Sequence, residues 1–133
     1  MGRKMKKLFN CITISFLLII FYNVNANAEM QLPQNYGAKG ALQDSSITLE
    51  EALTYAIQDE YLAQARYDTI IAKFGWIRPF TQIKSAEQRH ISALLSLFER
   101  YNIKVPEDNA KQYTKEPGSL KEAFQAGVDG ERR

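Results

Sequence analysis

The sequence predicts an all-α domain: an antiparallel helical hairpin followed by part of a third helix, an incomplete four-helix bundle. Three observations predict it. Leu49, Leu53, Ala56, Glu60, Ala63, Tyr67, Ile70 and Phe74 recur at alternating steps of four and three, which is the spacing of one helix face. Phe80, Ile83, Glu87, His90, Leu94, Leu97 and Tyr101 repeat the pattern at steps of three and four. Only a few residues separate the two stripes, and short connections between long helices give antiparallel neighbours.

The chain has 133 residues and opens on an export signal. Arg3, Lys4, Lys6 and Lys7 form a basic start, Leu8 to Val24 is mostly apolar, and Ala26-Asn27-Ala28 supplies the small-x-small cleavage pattern. Residues 1–28 are therefore expected to be a signal peptide, with Glu29 as the mature N-terminus and an exported, periplasmic or extracellular product. An uncleaved anchor is the alternative, but the apolar run falls short of the roughly 20 residues of a membrane span. Membrane association is expected only through this segment before cleavage.

Cleavage removes four of the 17 basic residues and none of the 15 acidic ones, leaving 13 against 15 and a formal charge of −2. The remaining Lys and Arg are scattered, so nothing argues for nucleic acid as a partner. Cys11 lies in the signal segment and is the single cysteine. Disulfides, thiolate metal sites and a rubredoxin-like iron centre are thereby excluded from the mature chain.

Residues 29–47 carry Pro33, Gly37 and Gly40 without periodicity and read as an extended linker, with the domain spanning 48–133. Thr48 and Glu51 form a capping box that starts a helix over 49–74, and Gly75 stops it. Pro79 suits the first turn of a second helix over 79–102. Leu53, Ile70, Phe80, Ile83, Leu94 and Leu97 are the expected core, with Trp76 covering the open end of the bundle. A second linker follows from Tyr101 to Lys115. Ser119 and Glu122 then open a third helix, whose Leu120, Phe124, Gly127 or Val128, and Glu131 share a face.

Each apolar stripe is interrupted by an acid. A buried carboxylate is costly unless compensated. Glu60 lies 14 residues before Phe74 and His90 lies 11 after Pro79. At about 1.5 Å per residue they sit roughly 21 and 16 Å from the turn, close enough to converge with Glu87 at one level. Glu87 and His90, three apart, project from one face about a turn apart. Two carboxylates and an imidazole on facing stripes suit a divalent metal, with iron or manganese the fitting ions. A buried Glu–His ion pair without metal is the plainer reading of the same residues.

Glu60 to Tyr67 reads E-x-x-A-x-x-x-Y, and Glu87 to His90 reads E-x-x-H. In that order they resemble the first two helices of rubrerythrin-like members of the ferritin-like superfamily. The runs Ser85 to His90 and Pro117 to Glu131 resemble more closely an uncharacterised family of secreted prokaryotic ferritin-like proteins. The resemblance implies four antiparallel helices around a dinuclear iron or manganese site. Glu comes from the first and third helices, and E-x-x-H from the second and fourth. It implies Glu60 as the first ligand, Glu87 and His90 as the first E-x-x-H, and Glu131 as the third-helix Glu. It also implies an oxidase, peroxidase or iron-handling role.

The chain departs from that pattern after Glu131, where the fourth helix and second E-x-x-H do not follow. It is accordingly expected to be a truncated or frameshifted product, a fragment, or a half-bundle completed by a second copy in a homodimer. A metal-free helical interaction module and an inactive truncated relative are the competing functional readings.

Overall fold

The computed structural model describes residues 30–131, with side chains as far as Gly130. The signal-peptide expectation over 1–28 and the proposed mature terminus at Glu29 lie outside the described residues. Among those described, the chain is all-helical. The elements are α1 (Gly37–Gln43), α2 (Leu49–Phe74), α3 (Phe80–Arg100), a 3-10 turn (Ala110–Tyr113) and α4 (Leu120–Glu131). No described helix is long and apolar enough to cross a membrane.

α2 begins as its sequence requires. The Glu51 N–H donates to the Thr48 hydroxyl oxygen at 3.2 Å and the Thr48 N–H donates to the Glu51 carboxylate at 2.8 Å, the reciprocal capping box. It ends where Gly75, at φ 88°, turns the chain in a region that side-chain-bearing residues avoid. α3 stops two residues before the expected position. Asn102 adopts φ 52°, its N–H donates to Glu99 O at 3.1 Å and the Ile103 N–H donates to Phe98 O at 2.9 Å. That is a Schellman closure, with Asn in the place glycine usually fills. α4 starts with the Glu122 N–H on the Ser119 hydroxyl at 3.2 Å, while the Glu122 carboxylate reaches back to the Gly118 N–H at 2.8 Å. The reach overshoots the Ser119 amide by one residue.

The hairpin is antiparallel, as its two apolar clusters show. Leu53, Ile57 and Tyr61 from the first half of α2 meet Phe98 from the end of α3 and Ala110 of the 3-10 turn. Tyr67, Ile70 and Ile71 from the second half meet Phe80 at the start of α3 and Ala123 of α4. Rings extend the second cluster, with Phe80 and Phe124 4.7 Å apart between centroids. Every other element lies against α2. An ion pair between Lys84 and Asp68 ties α3 to α2 on the surface, and a 2.7 Å pair from Lys73 to Glu116 ties α2 to the segment before α4.

Leu53, Ile70 and Phe80 are buried as expected, but Ile83, Leu94 and Leu97 are only half-buried. Neighbours ring α2, whereas α3 rests mainly on α2 and keeps an open side. Trp76 does not cover the bundle end, being 84% exposed, because the turn carries it away from both clusters.

The stretch 29–47 is not extended throughout. α1 forms there and packs on α2. A Cβ at Gly40 would lie 2.6 Å from the Tyr55 ring and 2.7 Å from the Asn35 carbonyl carbon, so glycine is what permits the approach. Gln58 accepts the Gly37 N–H at 3.0 Å. The Tyr36 hydroxyl donates to the Asn109 side chain at 3.0 Å, and its ring meets Tyr113 edge-on at 5.3 Å. The two segments read as linkers thus hold each other over α2. Periodicity has nothing to report about them because side chains and glycines, not a repeating stripe, make these contacts.

Candidate metal centre

Glu60 comes from the middle of α2, and Glu87 and His90 from successive turns of α3. They occupy the level between the two apolar clusters. One ligand atom from each lies within 4.8 Å of the others. His90 Nδ1 is 3.3 Å from Glu60 Oε2 and 3.3 Å from Glu87 Oε2. The one-turn offset estimated along the helices is absorbed, and the three side chains converge as expected.

Their exposure is graded. The Glu87 side chain is 7% exposed, Glu60 26% and His90 56%. Burial pushes the Glu87 carboxyl up from 4.5 to about 7, and the neighbouring Glu60 carboxylate adds to the rise, while His90 opposes it. Partial desolvation would lower His90, but the Glu60 and Glu87 carboxylates outweigh it and hold the imidazole above its ordinary value. Without a cation, the cluster holds protons to offset its own charge.

The donor set fits a divalent metal. Two ligands bonded at about 2.0–2.2 Å to one ion stand roughly 3–3.5 Å apart, and the observed 3.3 Å separations fall in that range. Carboxylate oxygens with one imidazole nitrogen and no sulfur suit iron, manganese or zinc. All three donors approach from the hairpin, so the His90 side is left open. The side chain of Glu131, the fourth expected ligand, lies outside the described residues.

A cavity of about 760 Å³ adjoins the cluster. Arg66 of α2, Lys39 and Leu42 of α1, and Leu32 of the arm contribute to its lining. These residues were not legible as a site. Only Arg66, at a further step of three beyond Glu60 and Ala63, left a trace in the spacing.

Fold and site together define an all-helical, bundle-type domain with a carboxylate–imidazole cluster at mid-height. The family described as an uncharacterized protein domain, DUF2202, matches residues 50–129, more than half of the chain, and this chain belongs to that family. The matched span contains Glu60, Glu87 and His90 and ends before Glu131. No curated protein and no solved structure matches the chain.

Proposed function

We propose that this chain is an exported ferritin-like metal-binding protein that holds iron or manganese with Glu60, Glu87 and His90. The observation that carries the reading is the convergence of these three donors within 4.8 Å between two apolar clusters. A carboxylate as buried as Glu87 is costly to ionise alone, and a divalent cation would remove that cost. Such an ion supplies redox chemistry toward oxygen or peroxide when bound, the basis of the oxidase, peroxidase or iron-handling role. Glu87 and Glu60 would supply the negative charge, and His90 would close the set from the open side. Metal uptake requires Glu87 to release the proton that its burial favours.

The test is metal content per chain, together with melting temperature in Mn(II) or Fe(II), for wild type, His90→Ala and Glu87→Ala. Wild type should retain metal and melt higher with it, and both variants should lose metal. Equal metal in all three, or melting indifferent to metal, defeats the assignment. It would favour a metal-free helical interaction module instead. One observation supports that second reading: no buried side-chain polar atom lacks a partner among the described residues, so the cluster can satisfy itself by hydrogen bonding.

A second copy completing the ligand set is part of the proposal. Its support is the exposure of His90 and an apolar row on α4 in which Phe124 is 45% and Val128 46% exposed. Light scattering should then show a dimer that Mn(II) strengthens. A monomer at all metal concentrations would exclude it. Export is tested by sequencing the N-terminus of protein from the exporting host, which should begin at Glu29.

A further inference from the structure

The cavity beside the cluster joins two kinds of surface. Glu60, Ala63 and Arg66 follow one another along α2 at steps of three, and all line it. Six residues rise about 9 Å, so Arg66 stands a short molecule's length from the cluster. Ala63 between them is small and leaves the space open. Leu32, Leu42 and Leu62 add apolar wall, and the volume is that of a small-molecule site.

The charges there are not balanced. Asp59 accepts the Ala38 N–H at 3.4 Å, which ties it to α1. The Arg66 and Lys39 side chains make no ion pair or hydrogen bond among the described residues. With a divalent ion offsetting Glu60 and Glu87, two cations face one carboxylate around the cavity. Arg66 also reaches across to α4. Its guanidinium lies against Gly130 so closely that a Cβ at that position would overlap Nη1. The guanidinium thus lies on the backbone of α4 at Gly130. A guanidinium fork matches a carboxylate in two-point contact.

We propose that the cavity binds a small organic carboxylate. Its acid group pairs with Arg66 and Lys39, and its apolar body lies against Leu32, Leu42 and Leu62 and points toward Glu60, Glu87 and His90. Its standing as the metal centre's substrate and the excess of positive charge around the cavity rest on the function proposed above; the unpaired Arg66 guanidinium and the apolar wall do not.

Hexanoate is the probe, titrated into the full mature chain with and without Mn(II) and followed by calorimetry. Acetate and hexan-1-ol serve as controls for the apolar body and the charge. Hexanoate should saturate one site. Hexan-1-ol should bind about tenfold more weakly or worse, as expected for loss of a charge-assisted contact, and acetate should also be weaker. Arg66→Gln should weaken hexanoate by about tenfold or more while keeping its helical circular dichroism and Mn(II) content. Lys39→Glu, at an exposed position away from the α2–α4 contact, should weaken it by roughly several-fold.

Hexanoate binding that matches hexan-1-ol, or that neither variant changes, overturns the proposal. Mn(II) bound at Glu60, Glu87 and His90 without hexanoate binding overturns it too and leaves the metal reading intact. Arg66-dependent hexanoate binding to a chain that takes no Mn(II) upholds the site and removes the metal reading.

Discussion

α2 and α3 carry the same pattern, an apolar stripe with one acid near its centre, but the fold treats them differently. α2 buries six residues along its length, Leu53, Ile57, Tyr61, Tyr67, Ile70 and Ile71. α3 buries three, Phe80, Glu87 and Phe98. α1, α3, the 3-10 turn and α4 surround α2, so residues off its predicted stripe, such as Ile57 and Tyr61, are covered as well. α3 has one principal neighbour and keeps Leu94 and Leu97 half-buried. A stripe states which face a helix would bury; the neighbours decide how much of it is buried. The same asymmetry shapes the cluster, where Glu87 points into the hairpin and His90 opens outward.

The contrast is broken most directly by two aliphatic truncations. Ile57 is 0% exposed, and Ile57→Ala should cost about 2–5 kcal/mol in denaturant unfolding. Leu94→Ala removes a half-buried side chain of the same size and should cost roughly 1–2 kcal/mol. Equal costs would show that α3's outer face is covered in solution.

A pH series sharpens the contrast at the cluster. The Glu87 carboxyl rises from 4.5 to about 7 on folding, so between these values the folded chain keeps a proton that the unfolded chain releases. Its contribution is greatest below about pH 4.5 and declines as pH climbs toward 7. The His90 imidazole, also raised, contributes in full below 6.5 and loses that contribution as pH rises through its folded value. Both act in one direction, and metal-free wild type should lose melting temperature across this window relative to Glu87→Gln. Excess Mn(II) should reduce or reverse the loss, because the bound ion needs deprotonated donors. Parallel curves for wild type and Glu87→Gln would remove Glu87 from the buried level.

The helix starts differ in the same spirit. α2 has its capping box, whereas Pro79 before α3 makes no side-chain cap. Thr48→Ala should therefore cost about 1 kcal/mol, measured by thermal or denaturant unfolding. An unchanged stability would mean that packing against α2's neighbours holds its first turn without the cap. The smallest effect is expected at the turn joining the helices, where Trp76→Ala should change stability by less than about 0.5 kcal/mol. A larger loss would mean that Trp76 does cover the bundle end.

Much of the hairpin was legible in the chain. The Thr48–Glu51 box, Gly75 and the alternating stripes are local signals, each read within a few residues, and they located α2 and α3 to within two residues. Glu60, Glu87 and His90 were legible for a related reason, since polar groups on an apolar stripe conflict with burial and stand out against it. Asn102 was a quieter signal, a residue that tolerates the left-handed conformation at a helix end.

What lay beyond local reading was everything made by segments distant in sequence. Tyr36 meeting Asn109 and Tyr113, Ala110 sealing Tyr61, and Arg66 resting on Gly130 join positions between 49 and 77 residues apart, and no period connects them. The residue pattern by itself determined α2, α3 and the start of α4, the antiparallel pairing of the hairpin and the three donors at mid-height, because a repeat of 3.6 residues and a capping residue act on their own neighbourhood. Only the tertiary structure decided that α2 is the hub, that His90 faces solvent and that a cavity with Arg66 on its wall adjoins the cluster. Burial and cavity shape depend on which surfaces meet, and that is a property of the whole fold.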